Sequence, residues 1–137
     1  MSSDDRLPAL ARTAYVAAAW AFLACIVIQL FLVGLDVFEV IGTESGIHRQ
    51  FAYSYGWLAP ALVLFAAAGR LPRSRQLWTI ALLVLFAIQT YLPSLAEGAP
   101  LVAAFHSINA LAVFWLAQHI ARHSRDRLEP LSTGGGS

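Results

Sequence analysis

Residues 13–35 read TAYVAAAWAFLACIVIQLFLVGL and contain no charged side chain. A helix needs about 20 apolar residues to cross the bilayer core, which is about 30 Å thick. Three more charge-free stretches of similar length follow, at residues 51–69, 76–96 and 98–121. The sequence therefore predicts an integral membrane protein with four transmembrane helices.

The composition agrees with a chain that lies mostly in lipid. Of 137 residues, 58% are hydrophobic and only 12% are charged, and the charges fall between the long apolar stretches. In lipid, backbone polar groups must be bonded within the structure itself, so each stretch is expected to form a helix. The bilayer is thus the first predicted partner, and nothing in the arginine clusters supports binding to nucleic acid.

Glycine and proline residues mark the expected ends of the four helices. We place the helices near residues 12–35, 47–69, 76–94 and 99–122. Connections this short require antiparallel neighbours, which predicts an all-α, up-down-up-down four-helix bundle over residues 1–124. Residues 125–137 end in a Gly/Ser run and are expected to form a cytoplasmic tail, flexible or left over from cloning.

The positions of arginine set the expected orientation, because the chain contains no lysine. Eight of the nine arginines lie near the termini or within residues 70–75, and only Arg49 lies in the other connections. Cytoplasmic loops of membrane proteins are enriched in basic residues. We therefore expect a multi-pass protein of the plasma membrane, the inner membrane of a prokaryote, with both termini cytoplasmic and residues 36–50 outside.

A weak internal repeat relates the first two helices to the last two. In each pair a glutamine is followed by a histidine, with 19 residues from Gln29 to His48 and 17 from Gln89 to His106. Two hairpins of the same orientation are related by a pseudo-two-fold axis along the membrane normal. This symmetry would bring the two histidines to one depth, on opposite sides of a central space.

Strongly polar side chains at membrane depth cost free energy, so the paired histidines predict a functional site. Tyr55 and Gly56 lie on the helix face that follows His48, and Asn109 lies on the face that follows His106. Small and aromatic residues on one face suit a flat macrocycle, and two imidazoles can hold haem iron between them. Because the chain has no CxxCH motif, the pattern predicts noncovalent haem b with His48 and His106 as iron ligands.

Four other polar residues belong to the predicted site with two possible roles each. Arg49 adjoins His48 and could bind the haem propionates, or its side chain could reach the lipid headgroups. Gln29, Gln89 and Asn109 could orient the imidazoles through hydrogen bonds, or could bond only across helices. In that second case small residues and polar bonds would serve helix packing alone.

Three remaining residues with reactive side chains are expected to lie outside this site. Cys25 is the only cysteine, lies mid-helix and is expected to be a small core residue. His119 and His123 are one helical turn apart, a spacing that can hold a metal ion but that at a membrane boundary is more typical of headgroup contact. They lie about 20 Å or more from His106 along the helix, too far to share its haem.

The segments ESGIHRQFA at residues 44–52 and FHSINALAVF at residues 105–114 resemble one four-helix half of haem A synthase. The resemblance implies that His48 and His106 ligate haem. It also implies that Glu44 corresponds to the loop carboxylate that precedes the family's His-Arg pair. From about residue 12 to residue 122 the chain resembles more closely an uncharacterised four-helix membrane family, a domain of unknown function.

The chain departs from the synthase, which has two such halves and often a cysteine pair in its outer loop. With one half and no outer cysteine, the resemblance implies a small b-type cytochrome more than an oxygenase, and electron transfer with an unidentified redox partner. The alternatives are a haem carrier, sensor or haem-modifying protein, and a cofactor-free membrane scaffold. We also expect a homodimer, because two copies could imitate the two-halved enzyme.

Overall fold

A computed structural model describes residues 3–40 and 46–125, and within these ranges it contains helices and turns but no strand. Five α-helices and one short 3₁₀ helix follow in chain order: α1 (Ser3–Val37), α2 (Ile47–Tyr55), α3 (Leu58–Ala68), α4 (Arg73–Tyr91), the 3₁₀ helix (Leu92–Leu95) and α5 (Pro100–His123). Glu44 and the predicted tail from residue 126 onward lie outside the described residues.

Four membrane-spanning segments arise from these helices in the described part of the chain. They are Arg6–Val37, Ile47–Ala68, Arg73–Leu95 and Pro100–His123, each long and apolar enough to cross a bilayer. Helix α1 packs against α3 and α5, and α4 packs against the same two helices. The spans therefore form a square in chain order, with the second and fourth on one diagonal. This arrangement confirms the all-α, four-helix fold of a multi-pass membrane protein.

The second span is divided into α2 and α3 by a tight turn at Gly56 and Trp57. Pro60 explains the break, because proline has no N–H and its ring clashes with the carbonyl four residues earlier. That carbonyl belongs to Gly56, and it accepts from the N–H of Ala59 at 3.2 Å instead. The span continues beyond the turn, so its overall course matches a single transmembrane helix.

A second proline acts in the same way at the end of the third span. Pro93 follows α4 within the 3₁₀ helix, and the carbonyl four residues before it is that of Gln89. Without an N–H at residue 93, this carbonyl lacks the usual helical donor four residues further on. It is therefore available to a donor from a neighbouring helix.

Helix α1 is longer at both ends than the charge-free stretch indicated. It begins at Ser3 instead of near residue 12 and ends at Val37, so it includes Asp36, which the sequence pattern had placed in a loop. Hydropathy detects the part of a helix that fits in lipid, whereas the helix itself continues past the lipid. Beyond Val37 the chain turns at Glu39, whose φ is 55°.

Most of the buried side chains lie in one half of the bundle. We call this the terminal half, since it holds both described chain ends and the turn between α3 and α4; the opposite half is the distal half. No side chain is buried from residue 27 to 40 or from 46 to 54, and only Leu92 is buried from residue 87 to 112. The terminal core is built mainly from Tyr15, Ala18, Ala19, Phe22, Ala59, Leu62, Ala66, Leu82, Val113, Leu116, Ala117 and Ile120.

An aromatic layer of Phe22, Tyr55 and Phe86 separates the two halves. The ring centroids lie 5.4–5.6 Å apart in edge-on or tilted pairs. Such geometries are favoured between aromatic rings. The layer joins three of the four spans and forms the floor of the distal half.

Candidate functional site

His48 is held by a carboxylate from the preceding span. Its Nδ1 donates a hydrogen bond to Oδ2 of Asp36, which lies in the last turn of α1. The His48 side chain is 41% exposed and that of Asp36 is 19% exposed. An ionised carboxylate can only accept, so Nδ1 carries the proton and Nε2 of the neutral ring keeps its lone pair. Asp36 is a site residue that sequence reasoning missed, because it was counted as part of the outer loop.

His106 is held by a chain of hydrogen bonds between α4 and α5. Its Nδ1 donates to the backbone oxygen of Gln89 at 3.0 Å, and its Nε2 accepts from Nε2 of the same glutamine at 3.0 Å. Nδ2 of Asn109 donates to Oε1 of Gln89 at 2.8 Å and to the backbone oxygen of Leu85 at 2.9 Å. We call Gln89, His106 and Asn109 the amide network. It is half-buried, and its members each bond to the next.

The acceptor for His106 exists because of Pro93. The Gln89 oxygen is the carbonyl that the proline leaves unbonded within its own helix, and the imidazole donates to it. A backbone oxygen can only accept, so His106 also has its proton on Nδ1. The local sequence of one helix thus fixes the tautomer of a histidine on the next.

The two histidines share one feature and differ in another. Both donate Nδ1–H to an oxygen, which leaves Nε2 as the nitrogen with a lone pair. Nε2 of His106 is already bonded to Gln89, whereas no hydrogen bond to Nε2 of His48 occurs within the described residues. The second and fourth spans carry them, so they approach the distal half from diagonally opposite helices.

Gln29 does not occupy the place in the first hairpin that Gln89 has in the second. It lies seven residues from Asp36 along α1, which is about 10 Å at 1.5 Å per residue. Its Oε1 is buried and, among the described residues, has no hydrogen-bond partner. The carboxylate of Asp36 takes the role beside His48 that the repeat pattern suggested for a glutamine.

Tyr55, Gly56 and Arg49 lie around the site without contacting the amide network in the described contacts. Tyr55 is buried in the aromatic layer, and Gly56 lies beneath Phe86, whose Cε1 would be 3.2 Å from an added Cβ. Arg49 is exposed on α2, with its guanidinium against Gly46. Tyr55 and Gly56 therefore lie at the aromatic layer that forms the floor of the distal half. Arg49 lies at the exposed outer end of that half, which we call its rim.

The hydrogen bonds at Nδ1 of both histidines are those of metal-ligating imidazoles, although Nε2 of His106 is already bonded to Gln89. Metal-ligating histidines usually donate their other ring N–H to a carboxylate or a backbone carbonyl, and His48 and His106 each make one of these bonds. Oε1 of Gln29, which has no partner among the residues that the structure describes, and the sparsely packed region beyond the aromatic layer lie in the same half of the bundle. Within residues 3–40 and 46–125, no group of three or more His, Cys, Asp or Glu side chains is placed to hold a metal ion.

His119 and His123 form a separate cluster at the opposite end of the bundle. Nδ1 of His123 donates to the backbone oxygen of His119 at 2.8 Å, and the His119 ring stacks against Trp115. Both histidines line a cavity of about 20 Å³, together with Arg75 and Trp78. This volume holds about one water molecule. The separation from His106 agrees with the sequence-based expectation that they do not share its site.

The comparisons with known proteins point to a family whose function is unknown. The profile of a family of unknown function (DUF6220) matches residues 29–96. This match confirms the resemblance to an uncharacterised family, and it covers Gln29, Asp36, His48, Gln89 and Pro93 but stops before His106. No curated protein matches the chain, no solved structure matches it either, and no link to haem A synthase is shown.

Proposed function

We propose that this chain is a membrane-embedded haem protein, a small b-type cytochrome in which His48 and His106 bind one noncovalent haem b. The observation that carries the proposal is the matched state of the two imidazoles. Each has Nδ1–H bonded to an oxygen, so in each ring Nε2 is the nitrogen that would bind iron, and Nε2 of His106 would first have to leave Gln89. Histidines that bind a metal usually donate their other N–H in this way, and both His48 and His106 do so.

The distribution of buried side chains supports the same proposal. The distal half has almost no apolar core of its own among the described residues, although it carries both histidines. A porphyrin would supply the apolar surface that side chains do not. Among the described residues Oε1 of Gln29 has no partner in this half, and the exposed Arg49 is suited to bind a propionate carboxylate.

Haem would supply reversible one-electron exchange, and with both His48 and His106 as its ligands no iron position would be left for oxygen. The protein residues then act by holding and insulating the group. Asp36 orients His48, the amide network orients His106, and the aromatic layer excludes water from below. Electron transfer to a redox partner at the distal side of the membrane is the activity that this arrangement suits.

The direct test is to purify the full chain in mild detergent after expression with a haem precursor. We expect about one noncovalent haem b per chain, with the low-spin spectrum of two nitrogen ligands that changes reversibly on reduction. His48→Ala and His106→Ala should each alter this spectrum or lose the pigment. Absorption and electron paramagnetic resonance spectra of the oxidised protein would measure both effects.

His119→Ala is the matched control, because His119 lies on the same helix as His106 but at the other end of the bundle. Its spectrum should equal that of the unaltered chain. A folded, colourless protein would refute the proposal, and so would unchanged spectra in both His48→Ala and His106→Ala.

A cofactor-free scaffold is the competing function, and the amide network favours it. Every member of that network has a partner without any ligand, as expected for polar bonds that join two membrane helices. A scaffold predicts that haem addition leaves the thermal stability of the chain unchanged. A haem protein predicts an increase in stability with haem concentration, because a ligand that binds only the folded state stabilises it.

Orientation is part of the proposal, with both termini in the cytoplasm of a prokaryotic cell and the distal half outside. Single cysteines in a Cys25→Ser background test it, one at Glu39 in the distal turn and one at Arg73 at the start of α4. An impermeant maleimide should label Glu39→Cys in intact cells, and Arg73→Cys only after the cells are opened. Labelling of Arg73→Cys in intact cells would overturn this orientation.

We propose further that the chain acts as a homodimer, the commonest symmetric assembly. Mass measurement in mild detergent or native lipid decides this point. A monomer that still reduces and reoxidises its haem would contradict it.

A further inference from the structure

The two histidines of the distal half are not held in equivalent ways. His48 is bonded through Nδ1 to a carboxylate, and its Nε2 has no hydrogen bond among the described residues. His106 is bonded through both nitrogens, to the backbone oxygen and to the side-chain amide of Gln89. Any group that binds Nε2 of His106 must therefore displace Gln89, whereas none of the described residues competes for Nε2 of His48.

Gln89 is itself held in the position from which it bonds His106. Its Oε1 accepts from Asn109 at 2.8 Å, which fixes the side-chain amide so that Nε2 faces the imidazole. Asn109 is in turn bonded to the backbone of Leu85 at 2.9 Å. A waiting partner lowers the free-energy cost of releasing His106 from a metal, because the freed nitrogen is not left unsatisfied.

Asp36 has the opposite effect on His48. A carboxylate that accepts Nδ1–H fixes the tautomer and the orientation of the ring, which leaves Nε2 to bind a metal. Asp36 lies in the last turn of α1, where a negative charge is unfavourable to the helix dipole, so a donor such as His48 Nδ1–H offsets that cost. The structure thus pairs one firmly oriented ligand with one that has an alternative partner.

We propose that His106 is the exchangeable axial ligand, and that its release opens one position on ferrous haem to a small neutral ligand such as carbon monoxide. The inference rests on the proposed haem site and extends it from electron transfer to ligand binding. In the exchange, the bond from iron to His106 Nε2 breaks, a bond from iron to the incoming ligand forms, and Nε2 accepts the N–H of Gln89. The exchange involves no transfer of an electron or a proton.

Titration of the reduced full chain with carbon monoxide tests the role of Gln89. The unaltered protein should bind the gas, and Gln89→Leu should weaken binding about five-fold, the effect of one net hydrogen bond of about 1 kcal/mol. Gln118→Leu is the matched control, since Gln118 lies on α5 about 18 Å from His106 at 1.5 Å per residue and should leave the affinity unchanged.

A second measurement does not depend on how Gln89→Leu folds. Transfer of haem to an excess of a scavenging apoprotein should be about ten-fold faster from His48→Ala than from His106→Ala, because His48 is the ligand that a carboxylate supports. Equal rates, or the reverse order, would overturn the inference. So would a carbon monoxide affinity that Gln89→Leu does not change.

These outcomes separate the two proposals. A haem protein with two histidine ligands that refuses carbon monoxide would contradict the exchange while leaving the cytochrome in place. A chain that binds no haem at all would instead refute the cytochrome itself.

Discussion

The terminal and distal halves of this bundle are made from the same four spans, yet they are filled differently. In the terminal half, small and branched side chains from all four spans interlock, and its buried polar groups Thr79 and Ser124 are hydrogen-bonded. In the distal half the helices carry histidines, amides and a carboxylate, and they bury few side chains. One half is closely packed, and the other has hydrogen-bonded polar groups and little apolar core.

This difference matters more in a membrane than it would in water. Lipid is as apolar as leucine, so transmembrane helices associate through close packing and hydrogen bonds and not through the hydrophobic effect. The terminal half supplies the packing that holds the spans together. The distal half can then carry polar groups, which would serve a ligand if the proposed haem site is correct, since binding regions have low local stability.

The largest difference in stability between the two halves is expected at Leu62, which is fully buried on α3 in the terminal half. Leu62→Ala should destabilise the chain by about 2–5 kcal/mol, the usual cost of removing a buried leucine side chain. Leu30→Ala, at a 58% exposed position in the distal half, should change stability by less than about 0.5 kcal/mol. Reversible denaturation in mixed micelles measures both. Equal losses would mean that the two halves are packed alike.

Gly56 tests the boundary between the halves. An added Cβ would lie 3.0 Å from the oxygen of Ala52 and 3.2 Å from the ring of Phe86. Gly56→Ala should therefore shift the aromatic layer and cost about 1–3 kcal/mol. Gly34 lies in the distal half with nothing within 4 Å of an added Cβ, so Gly34→Ala is the matched control and should lose no stability. The same denaturation assay applies, and a neutral Gly56→Ala would show that the layer is loosely packed.

The smallest effect is expected from the buried hydroxyl pair of the terminal half. Tyr15 and Thr79 share a hydrogen bond of 2.9 Å between α1 and α4. Tyr15→Phe should cost about 0.6 kcal/mol, the average for such bonds in a membrane protein. Tyr91→Phe, at an exposed position in the distal half, should have no effect on unfolding. If Tyr15→Phe is also silent, apolar packing alone holds the terminal half.

The sequence predicted the spans well because charge and length are enough to define them. It could not predict where a helix stops once it has left the lipid, so α1 extends to Ser3 and Asp36 was placed in a loop. The sequence did allow Asp36 to be helical, because a single acidic residue directly after a long apolar stretch can continue a helix as easily as end it. Its contact with His48 depends on tertiary packing, which no spacing rule contains.

For the candidate site, the sequence identified which polar residues take part better than it identified which of them bond to each other. Rarity of polar groups in lipid identified Gln89, His106 and Asn109, and they form one network. The same reasoning paired Gln29 with His48, but rise along α1 separates Gln29 from the Asp36–His48 pair by about 10 Å. The sequence repeat thus keeps the order glutamine then histidine in both hairpins, but the hydrogen-bond partner of the histidine is Asp36 in the first and Gln89 in the second.

Pro93 also has a consequence for the order in which the chain is built. During synthesis α4 enters the membrane before α5 exists, and its Gln89 oxygen then lacks both the N–H of residue 93 and the imidazole of His106. An unsatisfied carbonyl in lipid costs several kcal/mol. The chain is therefore less stable in the bilayer until α5 has been inserted. Arrival of α5 removes that penalty with a single side chain. The histidine proposed to bind iron is thus also the residue by which the last span completes assembly.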